Sequence, residues 1–176
     1  MVLKKQTVGR SGFTLVELIV VIAMIGILSF MAIPNIISSL PDYRLRSAAR
    51  DIISLMQETK LRAVKEDFTA AMIFDFNQDT YFAWVNKGDA VPGTLSYDPG
   101  LGDVIFTQSD LPVGIDIYLN GSSDINNPFG FNNRGFPVTT VGSVFIRNNK
   151  PNYRRILVNL PGNIRVQKST DGTAWN

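Results

Sequence analysis

Between Leu18 and Pro41 the chain carries no Asp, Glu, Lys or Arg, and within 18–33 only Gly26 and Ser29 interrupt large apolar and alanine side chains. About 20 such residues are needed for a helix to cross a bilayer, so the pattern predicts a transmembrane segment over 13–33. The run is longer than the apolar core of a secretory signal peptide, and no A-x-A-like cleavage site follows it. Further on, the pattern becomes one-sided. Leu45, Ala49, Ile52, Met56, Thr59 and Ala63 recur at helical spacing, with Ala48, Ile53 and Leu55 widening the stripe. Arg46, Arg50, Glu58, Arg62 and Lys65 fall largely elsewhere, which predicts an amphipathic helix over 34–66 packed on a globular domain. Glu58 and Arg62 stand in the favourable i,i+4 order on its solvated face. Pro34 and Pro41 each remove a backbone donor and crowd the preceding turn, so a kink or break is expected there.

Beyond residue 66 the chain turns β-like and rich in turns. Strands are predicted over 70–76 and 81–86, joined by Asn77-Gln78-Asp79-Thr80, and again over 104–107, 115–119, 142–147, 154–160 and 163–168. Residues 87–103 read as a long loop, with Gly88, Pro92, Gly93, Pro99, Gly100 and Gly102 as turn formers. The expected fold is α+β: a long N-terminal helix packed on a small antiparallel β-sheet or sandwich over 67–176.

One charge stands out against the membrane pattern. Glu17 follows Gly12-Phe13-Thr14-Leu15-Val16 at the edge of the apolar run, with Lys4, Lys5 and Arg10 upstream. A carboxylate in hydrocarbon costs about 2.5–3.5 kcal/mol on insertion scales, so Glu17 requires a partner. The positive-inside rule puts residues 1–12 in the cytoplasm and the domain on the far side.

The combination of basic leader, glycine, phenylalanine, glutamate and apolar run resembles the N-terminus of type IV prepilins and of the pseudopilins of type II secretion. The resemblance implies that a prepilin peptidase cuts between Gly12 and Phe13, removing the leader 1–12, and methylates the new amine of Phe13. It also implies that Glu17 pairs with the terminal amine of a neighbouring subunit during filament assembly, on an inner-membrane assembly platform. An opposite charge in a low-dielectric setting supplies the missing partner. In such filaments the helix can unwind near a proline, which draws attention to Gly26, Pro34 and Pro41. Phe131-Asn132-Asn133-Arg134-Gly135-Phe136-Pro137 further resembles the C-terminal pattern of GspH minor pseudopilins and FimT minor pilins. There Gly135 and Pro137 would form a tight turn, with Phe131 and Phe136 filling the sandwich. The function implied is a minor pseudopilin subunit of a type II secretion pseudopilus, which exports folded proteins. The alternative is a FimT-class minor pilin acting in pilus assembly or DNA uptake.

Charge changes the picture in two ways. Of 17 basic residues three lie in the leader, which leaves 14 against 15 acidic ones, so the processed chain would carry −1 where the whole chain carries +2. Basicity is therefore partly a leader property and not in itself a sign of a nucleic-acid partner. The rest is divided: from Glu66 to Asp124 stand ten acidic residues with Lys87 the one base, and from Arg134 to Lys168 seven basic residues with no acid. The two runs could neutralise each other, or set register between subunits. A third reading has Arg147, Lys150, Arg154, Arg155, Arg165 and Lys168 contacting DNA phosphates, but the glycine-arginine motif of FimT-like pilins is incomplete in Gly162-Asn163-Ile164-Arg165.

Catalysis is poorly provided for. With no His and no Cys, the common general base, thiol nucleophile and imidazole ligand are lacking, and no disulfide can close the loop typical of major pilins. No cofactor is implied. Asp171-Gly172 is too short for a calcium loop and reads as a structural turn.

Overall fold

The computed structural model describes residues 12–88, 95–121 and 124–176. Contacts divide the chain into two units, Met1–Ser39 and Leu40–Asn176. The first, described from Gly12 onward, is helical from Leu15, and its large apolar side chains face outward: Phe13 is 91% and Phe30 82% exposed. It supplies the one helix, among the described residues, long and apolar enough to cross a membrane. Helix α1 spans Leu15–Glu66 and is continuous across Gly26, Pro34 and Pro41, so the expected break is not found. Near the prolines, the hydroxyls of Ser38 and Ser39 both donate to the carbonyl of Asn35 at 2.9 Å.

In the second unit α1 buries the predicted stripe. Leu45, Ala48, Ala49, Ile52, Leu55, Met56, Thr59 and Ala63 are all buried, and Ile53 packs beside them. Thr59 fits this apolar face because its hydroxyl donates to the Leu55 carbonyl at 2.7 Å. On the opposite face Arg62 bonds Glu58 at 2.9 Å and Glu66 at 3.4 Å, and its guanidinium lies 4.3 Å from the Phe106 ring centre.

Among the described residues eight strands form two antiparallel sheets. β1 (Thr69–Asp75), β2 (Thr80–Asn86), β3 (Val104–Asp110) and β5 (Phe129–Phe131) build one in the order β3-β2-β1-β5. β4 (Ile115–Tyr118), β6 (Ser143–Asn148), β7 (Tyr153–Val158) and β8 (Ile164–Ser169) build the other in the order β4-β6-β7-β8. Met72 and Phe74, Ala83 and Val85, Ile115 and Ile117, Val144 and Ile146, and Ile156 and Val158 are spaced two apart, as one face of a strand requires. They join the α1 stripe in a single apolar core. Asp79, at φ 53°, ties the sheets together: its carbonyl accepts from Leu111 N–H at 2.9 Å and its carboxylate from Ile117 N–H at 3.0 Å.

Two expectations need correction. The strand β5 is absent from the sequence reading, and Phe136 is 51% exposed, not part of the core. Asn132 N–H donates to the Phe136 carbonyl at 2.8 Å and Phe131 stands opposite Pro137, so the turn sends Phe131 inward and Phe136 outward. Gly135 does hold the turn, at φ 78°. Within the expected loop 87–103, Pro92 and Gly93 lie outside the described residues. Its later part carries a short 3-10 turn, Pro99–Leu101, and packs Tyr97 against Phe82 and Trp84.

Candidate assembly site and the placement of the basic residues

The N-terminal candidate residues meet at the start of α1. Thr14 is its cap: the Thr14 hydroxyl accepts from Glu17 N–H at 3.2 Å, and a Glu17 carboxylate oxygen accepts from the Thr14 N–H and hydroxyl, each at 3.0 Å. This is a capping box, which satisfies two otherwise orphan donors of a helix N-terminus. Its T-x-x-E spacing is plain in the sequence, so Thr14 is a site residue that could have been named there. One Glu17 oxygen is engaged in this way, and the side chain lies at the surface with Phe13 close by in sequence. A Cβ at Gly12 or Gly26 would meet nothing within 4 Å. Glycine at these two positions is therefore not demanded by packing within the chain. The leader residues 1–11 lie outside the described residues.

The six basic candidates of the C-terminal region do not form one patch. Register pairs Arg154 with Lys168, Ile156 with Val166 and Val158 with Ile164, placing all of these on the face that looks toward α1. Arg155 pairs with Gln167 and Leu157 with Arg165, on the opposite face. There Arg155 donates to Gln167 and stacks over Trp175 at 5.1 Å, while Arg147 lies 5.2 Å from the Tyr118 ring centre and 3.4 Å from Asp116. The rings of Tyr118, Phe145, Tyr153 and Trp175 pack together on this outer face. Lys150 sits in the β6–β7 turn, where its N–H donates to Asn148 at 3.0 Å.

The acidic run is spent differently from the expected neutralisation. Asp75 accepts from the N–H groups of Asn77 and Gln78, Asp98 from Gly100, Asp103 from Lys87 and Asp98, and Asp124 from Asn120 and Gly121. These carboxylates close turns in the manner of Asx caps. Between the two runs only Arg147–Asp116 forms an ion pair among the described residues, and it is half exposed. Such a pair contributes about 0–1 kcal/mol. Asp171 likewise closes a turn, accepting from the Ser169 hydroxyl at 2.7 Å, Thr173 N–H at 2.9 Å and Ala174 N–H at 3.0 Å. These donors hold its pKa well below the usual carboxylate range.

Residues 9–33 match the family described as the prokaryotic N-terminal methylation motif. The chain carries a prepilin motif. Over 161 residues it is 24% identical to the pilin-like protein PilA1 of Thermus thermophilus, covering 90% of this chain and 99% of that one. It is 35% identical over 91 residues to the type II secretion system core protein G of Aeromonas hydrophila, covering 52% of this chain and 60% of the relative. The chain also shares its fold with a solved structure, the minor pseudopilin EpsH from the type 2 secretion system of Vibrio cholerae. The TM-score is 0.51 at 12% identity, over 70% of this chain and 95% of the other. The helix and antiparallel sheets of this chain thus have the fold of EpsH.

Proposed function

We propose that the protein is a minor pseudopilin, a non-enzymatic subunit of a type II secretion pseudopilus that is assembled from the inner membrane. The observation that carries this reading is the prepilin motif at residues 9–33 on a chain with the fold of EpsH. In this account the peptidase cuts between Gly12 and Phe13 and the new Phe13 amine is methylated. The span 13–33 holds the subunit in the bilayer, with residues 1–12 cytoplasmic and 67–176 periplasmic. Glu17 then recruits a neighbouring subunit's terminal amine. Its capping bonds leave acceptor capacity on a carboxylate with about four lone-pair sites, so the intersubunit pair and the helix cap can coexist. Gly26, Pro34 and Pro41 mark where the helix yields as subunits pack into the filament; helix-interior glycine costs about 0.5–1 kcal/mol relative to alanine.

Intact-mass analysis of the protein from cells with an active prepilin peptidase should give a chain beginning at N-methyl-Phe13. Retention of residues 1–12 would overturn the reading. Glu17→Ala should leave membrane insertion unchanged and strongly reduce crosslinking to partner pilins, whereas undiminished crosslinking would remove the charge pair from the mechanism.

A second reading, a minor pilin of the FimT class, draws on Arg165, which is exposed on the outer face, two residues along the β7-β8 ladder from the Arg155–Gln167 pair. On that reading duplex DNA binds with an affinity that falls steeply with salt and weakens in Arg165→Ala. No DNA binding at low salt would eliminate it.

A further inference from the structure

A second set of cations converges on the other side of the β4-β6-β7-β8 sheet. Arg46 and Arg50 stand four residues apart on α1, so they share a face and repel each other. Arg154 and Lys168, paired in register on β7 and β8, face them. Arg46, Arg154 and Lys168 line both of two adjoining cavities, of about 300 and 360 Å³, and Arg50 lines the second. Among the described residues the only carboxylate side chain in their walls is Asp42, whose Oδ1 already accepts from the side-chain amides of Asn148 at 3.0 Å and Asn152 at 2.7 Å. None of the four cations forms an ion pair among the described residues. The Nε of Arg154 is buried there without a hydrogen-bond partner. Burial lowers the pKa of Arg154, and the charges of Arg46 and Arg50 push it the same way while Asp42 opposes them.

The buried, unpaired Nε of Arg154 is costly to leave without an acceptor, and Arg46, Arg50 and Lys168 stand exposed around the same groove with their charges unpaired among the described residues. We propose that the groove between α1 and strands β7 and β8 binds a phosphate group through Arg46, Arg50, Arg154 and Lys168. The charge count selects this chemistry: one carboxylate from a partner would leave most of the excess positive charge in place, whereas a phosphate monoester brings about −1.5 to −2 and three acceptor oxygens. Guanidinium forks match those oxygens in pairs. The cavity of about 360 Å³, which all four side chains line, admits such a group with several waters, each of which takes about 30 Å³ in the liquid. The phosphate can come from a soluble phosphate ester or from the headgroup of an anionic phospholipid.

The test is calorimetric titration of inorganic phosphate and of pyrophosphate into the full chain in neutral detergent. Saturable binding is expected, weakened about tenfold or more in Arg50→Gln and in Arg154→Gln, as the loss of a charge-assisted hydrogen bond implies. Arg50 is exposed, so its variant tests the site even if Arg154→Gln is poorly folded. Arg165→Gln, on the opposite face, should bind as the parent does. Absence of saturable binding, or an equal loss in Arg165→Gln and Arg50→Gln, overturns the proposal, as does duplex DNA binding that is equally sensitive to both. Repeating the titration in nanodiscs distinguishes the sources. Suppression of phosphate binding by phosphatidylglycerol but not phosphatidylcholine discs, and persistence of Arg50 dependence in that suppression, identifies a lipid headgroup. Equal binding in both disc types identifies a soluble phosphate.

Discussion

Carboxylates in this chain act mostly on backbone donors, and Asp171 is the clearest instance. Its oxygens accept from Thr173 and Ala174 N–H and from the Ser169 hydroxyl, while Ser169 Oγ in turn accepts from Asp171 and Gly172 N–H. Each of these bonds favours the ionised acid, so its pKa is lower folded than unfolded. The sign of the linkage follows: the turn's stabilisation is fully present above the unfolded value of about 3.9 and is lost as pH falls through the lower folded value. A carboxyl-detected NMR titration should therefore find Asp171 still ionised at pH 3, where ordinary aspartates are mostly protonated. A midpoint near 3.9 would show that the turn does not hold in solution. The identity of this turn was legible in Asp171-Gly172. The donors behind Asp171 were not, because Ser169 enters only through the end of β8.

At the scale of elements, periodicity carried far. The α1 stripe from Leu45 to Ala63 is buried, with Ile53 partly so at its margin, because a 3.6-residue repeat leaves one face for the core. Met56, fully buried in that stripe, should cost about 2–5 kcal/mol when replaced by Ala, measured by urea unfolding; Leu61→Ala, on a side chain 69% exposed, should change stability by less than about 0.5 kcal/mol. Equal effects would mean that the helix does not dock through this face. Most of the strands read from the sequence, with edges displaced by a residue or more, but β5 was missed for a definite reason. Phe129-Gly130-Phe131 is too short for a period and carries a glycine that disfavours a strand in isolation. It is a strand because β1 lies beside it, with Ala71 opposite Gly130. A Cβ on Gly130 would come within 2.8 Å of the Ala70 carbonyl oxygen, so glycine is what lets the strands meet. Phe136 misled for the converse reason, since composition marks it as core and only the turn geometry turns it out. Register also sorts the basic candidates: Arg154 and Lys168 lie on one face and Arg147, Arg155 and Arg165 on the other, because neighbours along a strand point oppositely, while Lys150 sits in a turn. Arg46 and Arg50 belong with Arg154 and Lys168 only through the packing of α1 on β7 and β8, which no local pattern carries.

For the whole molecule, charge and processing are coupled. The two long runs of opposite sign do not cancel through ion pairs, since the acids cap turns and Arg147–Asp116 is the single pair between the runs among the described residues. The folded domain therefore keeps both its basic groove and its acid-rich turns, and net charge rests on small differences. Seventeen basic residues against 15 acidic ones give +2, with a sequence pI of about 9.0. Loss of residues 1–12 would remove Lys4, Lys5 and Arg10 and no acid, leaving 14 basic against 15 acidic residues and a charge of −1. Methylation of the Phe13 amine keeps its charge near neutral pH, so it does not obscure the change. Crossing from net positive to net negative moves the isoelectric point from the alkaline to the acidic side of neutrality. Isoelectric focusing of the protein from cells with and without prepilin peptidase should resolve two species on opposite sides of pH 7, the acidic one confined to cells with the enzyme. A single basic species in both would mean that the bond between Gly12 and Phe13 is left intact, and that Glu17 gains no new amine as its intersubunit partner.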